Sequence, residues 1–253
     1  FGLLDGGRGL VAALLASIGV IILSYSFGPE NVVTNYRPGA KLNGVVSYYV
    51  LLTLGAALFV ILALPNDDPT TTEKADKTTK TGLLYNKFLW LQAAVLTVCY
   101  CCYKGLDHYS LYVNQVWGMS ETESAAFATG IAYARPVSAI TAGFIADRFG
   151  SSKSILVIFV MLLLSYLFIA DVAVNYNTHL PVYLMLVTSA TGVFALRGIY
   201  FSVLEESKIP SHQTGLAVGL ISFVGYTPDI FFAPIAGRLL DSAPGLAGHQ
   251  LYF

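Results

Sequence analysis

The sequence predicts an all-α polytopic membrane protein with seven transmembrane helices. Three observations carry that prediction. Of 253 residues, 55% are hydrophobic and only 11% charged, where ordinary soluble domains hold about 25% charged residues. The apolar residues gather in runs long enough to span about 30 Å of hydrocarbon. Turn and breaker residues separate those runs. A soluble fold has too little interior for this much apolar surface, whereas lipid solvates the outer faces of a helical bundle.

The runs lie near 9–28, 43–64, 87–112, 123–146, 154–174, 180–204 and 213–237. Gly28-Pro29-Glu30-Asn31 ends the first and Leu64-Pro65-Asn66-Asp67-Asp68-Pro69 ends the second. Proline lacks the amide hydrogen that a helix interior needs, so both stretches stop helices. Residues 65–86 differ in kind. Pro69 through Thr81 is a polar run of threonine, lysine and acidic residues with nothing to bury, and it reads as a flexible linker. Two segments precede it and five follow. The chain also opens on Phe1, directly ahead of an apolar run, and reads as a piece that starts inside a longer protein.

Lysine and arginine set the orientation, because cytoplasmic loops carry their excess. If the first segment starts on side one, that side holds Arg8, Lys74, Lys77, Lys80, Lys87, Arg148, Lys153 and Lys208. Side two holds only Arg37, Lys41 and Arg238. Side one is therefore the cytoplasm. With a net charge of −1, no basic field points to nucleic acid. Cys99, Cys101 and Cys102 share one apolar run and have neither disulfide nor zinc spacing, so they read as apolar filling.

The remaining cations, Lys104, Arg135 and Arg197, fall inside apolar segments, as do Asp107 and Asp229. Each charge at membrane depth costs about 2.5–3.5 kcal/mol on insertion scales and marks a cavity, a partner or a substrate. Lys104, Asp107 and His108, three and four residues apart, are expected on one helical face. Arg135 sits centrally in Ala132-Tyr133-Ala134-Arg135-Pro136 with no carboxylate within a turn. Arg197 lies near Tyr200, and Asp229 follows Tyr226-Thr227-Pro228. The bland alternative pairs Lys104 with Asp107 and lets Arg197 reach toward Glu205. This set of five has one more cation than anion, which favours an anionic solute. Lys104, Asp107, His108, Tyr133, Arg135, Arg197, Tyr200, Tyr226 and Asp229 are the candidate substrate-binding residues. Small-residue rows, Gly9-Ala13 on the first segment and Gly215-Gly219 on the seventh, predict close helix contacts.

The sharpest motif is Gly143-Phe144-Ile145-Ala146-Asp147-Arg148-Phe149-Gly150, between the fourth and fifth segments. Gly-x-x-x-Asp-Arg-x-Gly in a cytoplasmic loop resembles the signature loop of the major facilitator superfamily. That resemblance implies a secondary transporter of twelve helices in two six-helix halves, of which this chain is a partial bundle, helices five to eleven. Residues 1–64 are then the last two helices of the N-terminal half, 65–86 the cytoplasmic linker, and 87–253 a C-terminal half lacking its last helix. By the same resemblance, Gly143, Asp147, Arg148 and Gly150 form a gating motif in which Asp147 and Arg148 latch cytoplasmic helix ends. A proton or an exchanged anion drives transport, the partners are a small solute, the bilayer and the missing helices, and a bacterial inner membrane is the expected location. Ser151-Ser152-Lys153 stands where the family often carries several basic residues.

Two other classes compete. A seven-helix receptor or sensor has an Asp-Arg-Tyr to which Asp147-Arg148-Phe149 is similar, but here the motif follows the fourth segment. The seventh segment also has no lysine for a retinal Schiff base. An enzyme needs a constellation that is missing: His108, His179, His212 and His249 are scattered, and no nucleophile or phosphate motif occurs. No cofactor or metal site is expected.

Overall fold

A computed structural model describes residues 2–27, 43–63, 83–172, 180–206, 209, 213–243 and 245–253. The described residues form helices and no strands: α1 (Gly2–Phe27), α2 (Asn43–Ala63), α3 (Lys87–Gly105), α4 (Tyr109–Trp117), α5 (Glu121–Ala132), α6 (Ala134–Phe149), α7 (Ser151–Val172), α8 (Leu180–Ile199), α9 (Val203–Glu206), α10 (Thr214–Gly225), α11 (Pro228–Ser242) and α12 (Leu246–Tyr252). Most of the expected linker, its lysines, and Arg37, Lys41, His179, Lys208 and His212 lie outside the described residues.

Six stretches are long and apolar enough to cross a membrane: Gly2–Ser24, Asn43–Ala63, Lys87–Trp117, Ser151–Ala170, Leu180–Ile199 and Thr214–Ser242. The fourth expected segment is also present, but as two helices in line, α5 and α6. Pro136 explains the break. It has no amide hydrogen to donate to the Ala132 carbonyl, and its ring crowds that carbonyl. The Tyr133 amide instead makes a tighter bond to the Gly130 carbonyl, 3.2 Å. Pro228 interrupts the seventh segment in the same way, leaving a turn at Tyr226-Thr227 between α10 and α11. The third segment tightens to a 3₁₀ turn at Leu106–His108 between α3 and α4.

The core lies where α6, α7 and α8 pack side by side and α3 lies against α10. Glycines set several of these approaches. A Cβ on Gly198 would meet the Ala139 carbonyl oxygen at 2.9 Å, and one on Gly225 would strike the Leu96 side chain. α1 lies along α6, as the small-residue row on the first segment predicts, with Gly9 and Ala13 buried. The expected contact at Gly215 and Gly219 does not occur among the described residues: a Cβ at either position meets nothing of theirs within 4 Å. The buried row on α10 is Ala217, Ile221 and Gly225, which turns the Gly-x-x-x-Gly outward. α2 buries no residue and leans on α1 through the Tyr48 hydroxyl, which donates to the Leu15 carbonyl at 3.0 Å.

Candidate functional site

All three interruptions fall inside their apolar segments, and each sits beside a charged candidate. The turn at Leu106–His108 contains Asp107, the break at Tyr133 precedes Arg135, and the turn at Tyr226-Thr227 precedes Asp229. A helix break frees backbone groups, and in membranes such breaks persist where they line a cavity or are buried in protein.

One cavity of about 390 Å³ lies between α1, α3, α5, α6 and α8, with Ala16, Tyr103, Asp107, Ala128 and Arg135 in its wall. Around it run two ionic groups. In the first, Arg135 Nη2 donates to Asp5 Oδ1 at 2.6 Å and Nε donates to Oδ2 at 3.2 Å. The side chains are only 9% and 14% exposed. Glycine makes this geometry possible: a Cβ on Gly9 would stand 2.6 Å from two carbons of the Arg135 side chain. The guanidinium therefore crosses α1 in the space above Gly9 to reach Asp5, one turn away.

The second group is open. Lys104 Nζ lies 2.9 Å from Asp107 and 3.6 Å from Asp229, whose side chains are 56% and 53% exposed. The Tyr100 hydroxyl donates to Asp229 at 3.0 Å. Aromatic rings extend this group: Tyr100 meets Tyr226 edge-on at 4.8 Å, and the Tyr226 and Tyr200 hydroxyls lie 3.2 Å apart. Arg197 sits over the Tyr103 ring, 3.9 Å from its centre. Its Nε is buried with no acceptor, and among the described residues no carboxylate pairs with it. The Glu205 side chain is outside the described residues.

The structure thus gathers Lys104, Asp107, Asp229, Tyr226, Tyr200 and Arg197 into one connected group, joined through Tyr100 and Tyr103, of which Asp107 and Tyr103 line the cavity. It directs others elsewhere. The 3₁₀ turn rotates His108 off the expected common face; its Nδ1 lies 3.2 Å from the Tyr252 hydroxyl and its ring beside Phe232. The Tyr133 hydroxyl lies 2.6 Å from that of Ser17, at the contact between α1 and α5. Arg135 does line the cavity, but with its charge already met. Counting Asp5, the cations and anions of this set are equal in number, so the cation surplus expected from five residues disappears.

Three residues escaped the sequence reading. Asp5 was passed over because the apolar run begins four residues later, although helix α1 already spans it. Tyr100 and Tyr103 are not among the residues that the sequence analysis singles out. The signal was there: Tyr100, Lys104 and Asp107 stand at i, i+4 and i+7, on one face.

At the end of α6 that carries the signature loop, Gly143 faces Gly2 across the α1–α6 contact. Gly150 adopts φ +92°, a conformation open to glycine, and lets α7 start one residue after α6 ends. Asp147 is exposed and lines a small recess with Gly2, Gly198 and Ser202. Arg148 lies over the Phe149 ring at 5.7 Å.

A multi-pass bundle with helices broken at mid-membrane around a charged, aromatic cavity has the architecture of solute transporters. The chain belongs to the Major Facilitator Superfamily, whose family model matches residues 1–242. It is 24% identical over 262 residues to inner membrane protein YihN of Escherichia coli (strain K12), covering 100% of this chain and 60% of that protein. The chain thus spans about 60% of the length of that relative. It is 35% identical over 57 residues to inner membrane protein YqcE of the same organism, covering 22% of this chain and 13% of that one. No solved structure matches the chain.

Proposed function

We propose that this chain is the larger part of a secondary transporter of the bacterial inner membrane, moving a small anionic organic solute by alternating access. A sugar acid, an organophosphate and a carboxylate are the cargo classes; a neutral sugar is the competitor. Residues 1–64 supply the end of one half, 65–86 the cytoplasmic linker and 87–253 most of the other half. The solute is held between the halves near the midplane. Asp147 and Arg148, with Gly143 and Gly150 shaping their loop, latch the cytoplasmic ends of the helices.

The observation that carries the anion reading is Arg197. Its guanidinium carbon lies 3.9 Å from the centre of the Tyr103 ring, its buried Nε lacks an acceptor, and of the three cations inside apolar segments it is the one that no carboxylate among the described residues pairs with. Arg135 positions α1 on α6 and does not contact the solute. Lys104, shared by Asp107 and Asp229, is where a co-transported proton would alter the balance of charge. No observation favours a receptor or sensor.

The test is uptake by the full-length protein in proteoliposomes, screened over those solute classes. An anion should be accumulated, and Arg197→Gln should lower its uptake at least tenfold, as loss of a charge-assisted contact implies. Transport of a neutral sugar that is indifferent to Arg197→Gln would remove the anion class and leave the transporter reading. Uptake undiminished by a protonophore would leave anion exchange as the driving step.

A further inference from the structure

A second cavity, of about 470 Å³, opens between α6, α7 and α8, on a face of α6 other than the one that meets α1. Ile145, Phe149, Val157, Ile158, Met161 and Ala195 form much of its wall. Four hydroxyls also face it, yet each is already committed to its own helix. Ser138 donates to the Ala134 carbonyl at 2.7 Å, Thr141 to Val137 at 2.8 Å, Ser154 to Gly150 at 2.9 Å and Thr191 to Val187 at 2.8 Å. With those donors spent, the groove offers a solute almost nothing polar. Its outer rim is open: Val157 is 68% exposed and Phe149 61%.

The charge is all at one end. Lys153 lines the groove in the first turn of α7, at the cytoplasmic boundary, and Arg148 is drawn to the same rim by its contact with Phe149. From Lys153 to Met161 is eight residues, about 12 Å of helix rise. From Phe149 back to Ser138 along α6 is about 16 Å by the same measure. The groove therefore runs from the cytoplasmic surface to about mid-membrane, half of the ~30 Å hydrocarbon thickness. That is the reach of one leaflet.

We infer that this groove binds one acyl chain of an anionic phospholipid of the cytoplasmic leaflet, with Lys153 against the headgroup phosphate. Apolar walls suit the chain, the depth suits a single leaflet, and the cations suit the phosphate. The inference rests on the membrane orientation and is independent of the transported solute.

Native mass spectrometry of the full-length protein in detergent tests it, with dioleoyl phosphatidylglycerol and dioleoyl phosphatidylcholine added in equal amounts. The wild type should retain one phosphatidylglycerol, at least fivefold over phosphatidylcholine. Lys153→Gln should abolish that preference and Lys153→Arg restore it. Val157→Trp, which fills the open mouth without touching the core, should remove both lipids while the protein still elutes as one sharp peak. Equal retention of phosphatidylglycerol by wild type and Lys153→Gln overturns the headgroup assignment. Retention unchanged in Val157→Trp overturns the groove. If the wild type retains no lipid and a Val157→Cys variant resists a membrane-permeant maleimide, a helix of the transporter covers the groove and the proposal fails.

Discussion

Two ionic groups of the same chemistry reach one cavity, each through a single residue, Arg135 in one and Asp107 in the other, and they are built to opposite ends. Arg135 and Asp5 make a bidentate pair, nearly sealed from solvent and seated over a glycine. Lys104 divides itself between Asp107 and Asp229, both more than half exposed, with Tyr100 holding one of them. The first is closed, since the guanidinium is bidentate to one carboxylate and the side chain fills the space over Gly9. The second has at least two arrangements, since a lysine with two acceptors can favour either as proton or solute load changes. Buried charge in a membrane thus splits into a fastening and a response, and exposure separates them better than distance does.

The largest effect should come from breaking the fastening. Asp5→Asn leaves Arg135 buried and uncompensated, which typically costs about 3–5 kcal/mol. We expect a sharp loss of thermal stability and of membrane yield for the full-length protein. Asp5→Asn combined with Arg135→Gln should recover part of it. A double variant no more stable than the single one would mean that the pair is not coupled.

A smaller effect on stability, with a larger one on transport, should follow from Lys104→Gln. Half-exposed ion pairs contribute about 0–1 kcal/mol, so the melting temperature should move little. The dependence of uptake on the proton gradient should change. A melting temperature that falls as far as that of Asp5→Asn would place Lys104 among the fastenings and erase the contrast.

The smallest effect should be at Gly215→Ala and Gly219→Ala. Each Cβ enters open space, and alanine is favoured over glycine within a helix by roughly 1 kcal/mol. The double variant should be as stable as the wild type or slightly more so. Marked destabilisation would mean that a helix outside the described residues packs on this face.

Much of the bundle was legible in the sequence because lipid imposes a single length and polarity on every span. Seven segments and the short turn at Gly150 follow from local composition and spacing, and the small residues of the first segment announce a close contact without naming its partner. What was not legible depended on distance along the chain. Asp5 and Arg135 are separated by 130 residues, and no periodicity links them. The rotation of His108 required knowing that the helix tightens at Leu106, where no proline announces it. Pro136 did announce the break at Tyr133, yet a continuous apolar run masked it. Which of the six charges pair, and that Arg197 is left without a carboxylate among the described residues, emerges only once the helices are assembled.

The void above Gly9 has a consequence for descent. The arginine occupies the place where any other side chain at position 9 would begin, so the two sites behave as one heritable unit. A lineage that gains even a methyl group at position 9 should already have lost the long cation at 135, and a lineage that keeps the cation should hold glycine at 9. Comparing relatives at these two positions alone would show whether the pair has travelled together.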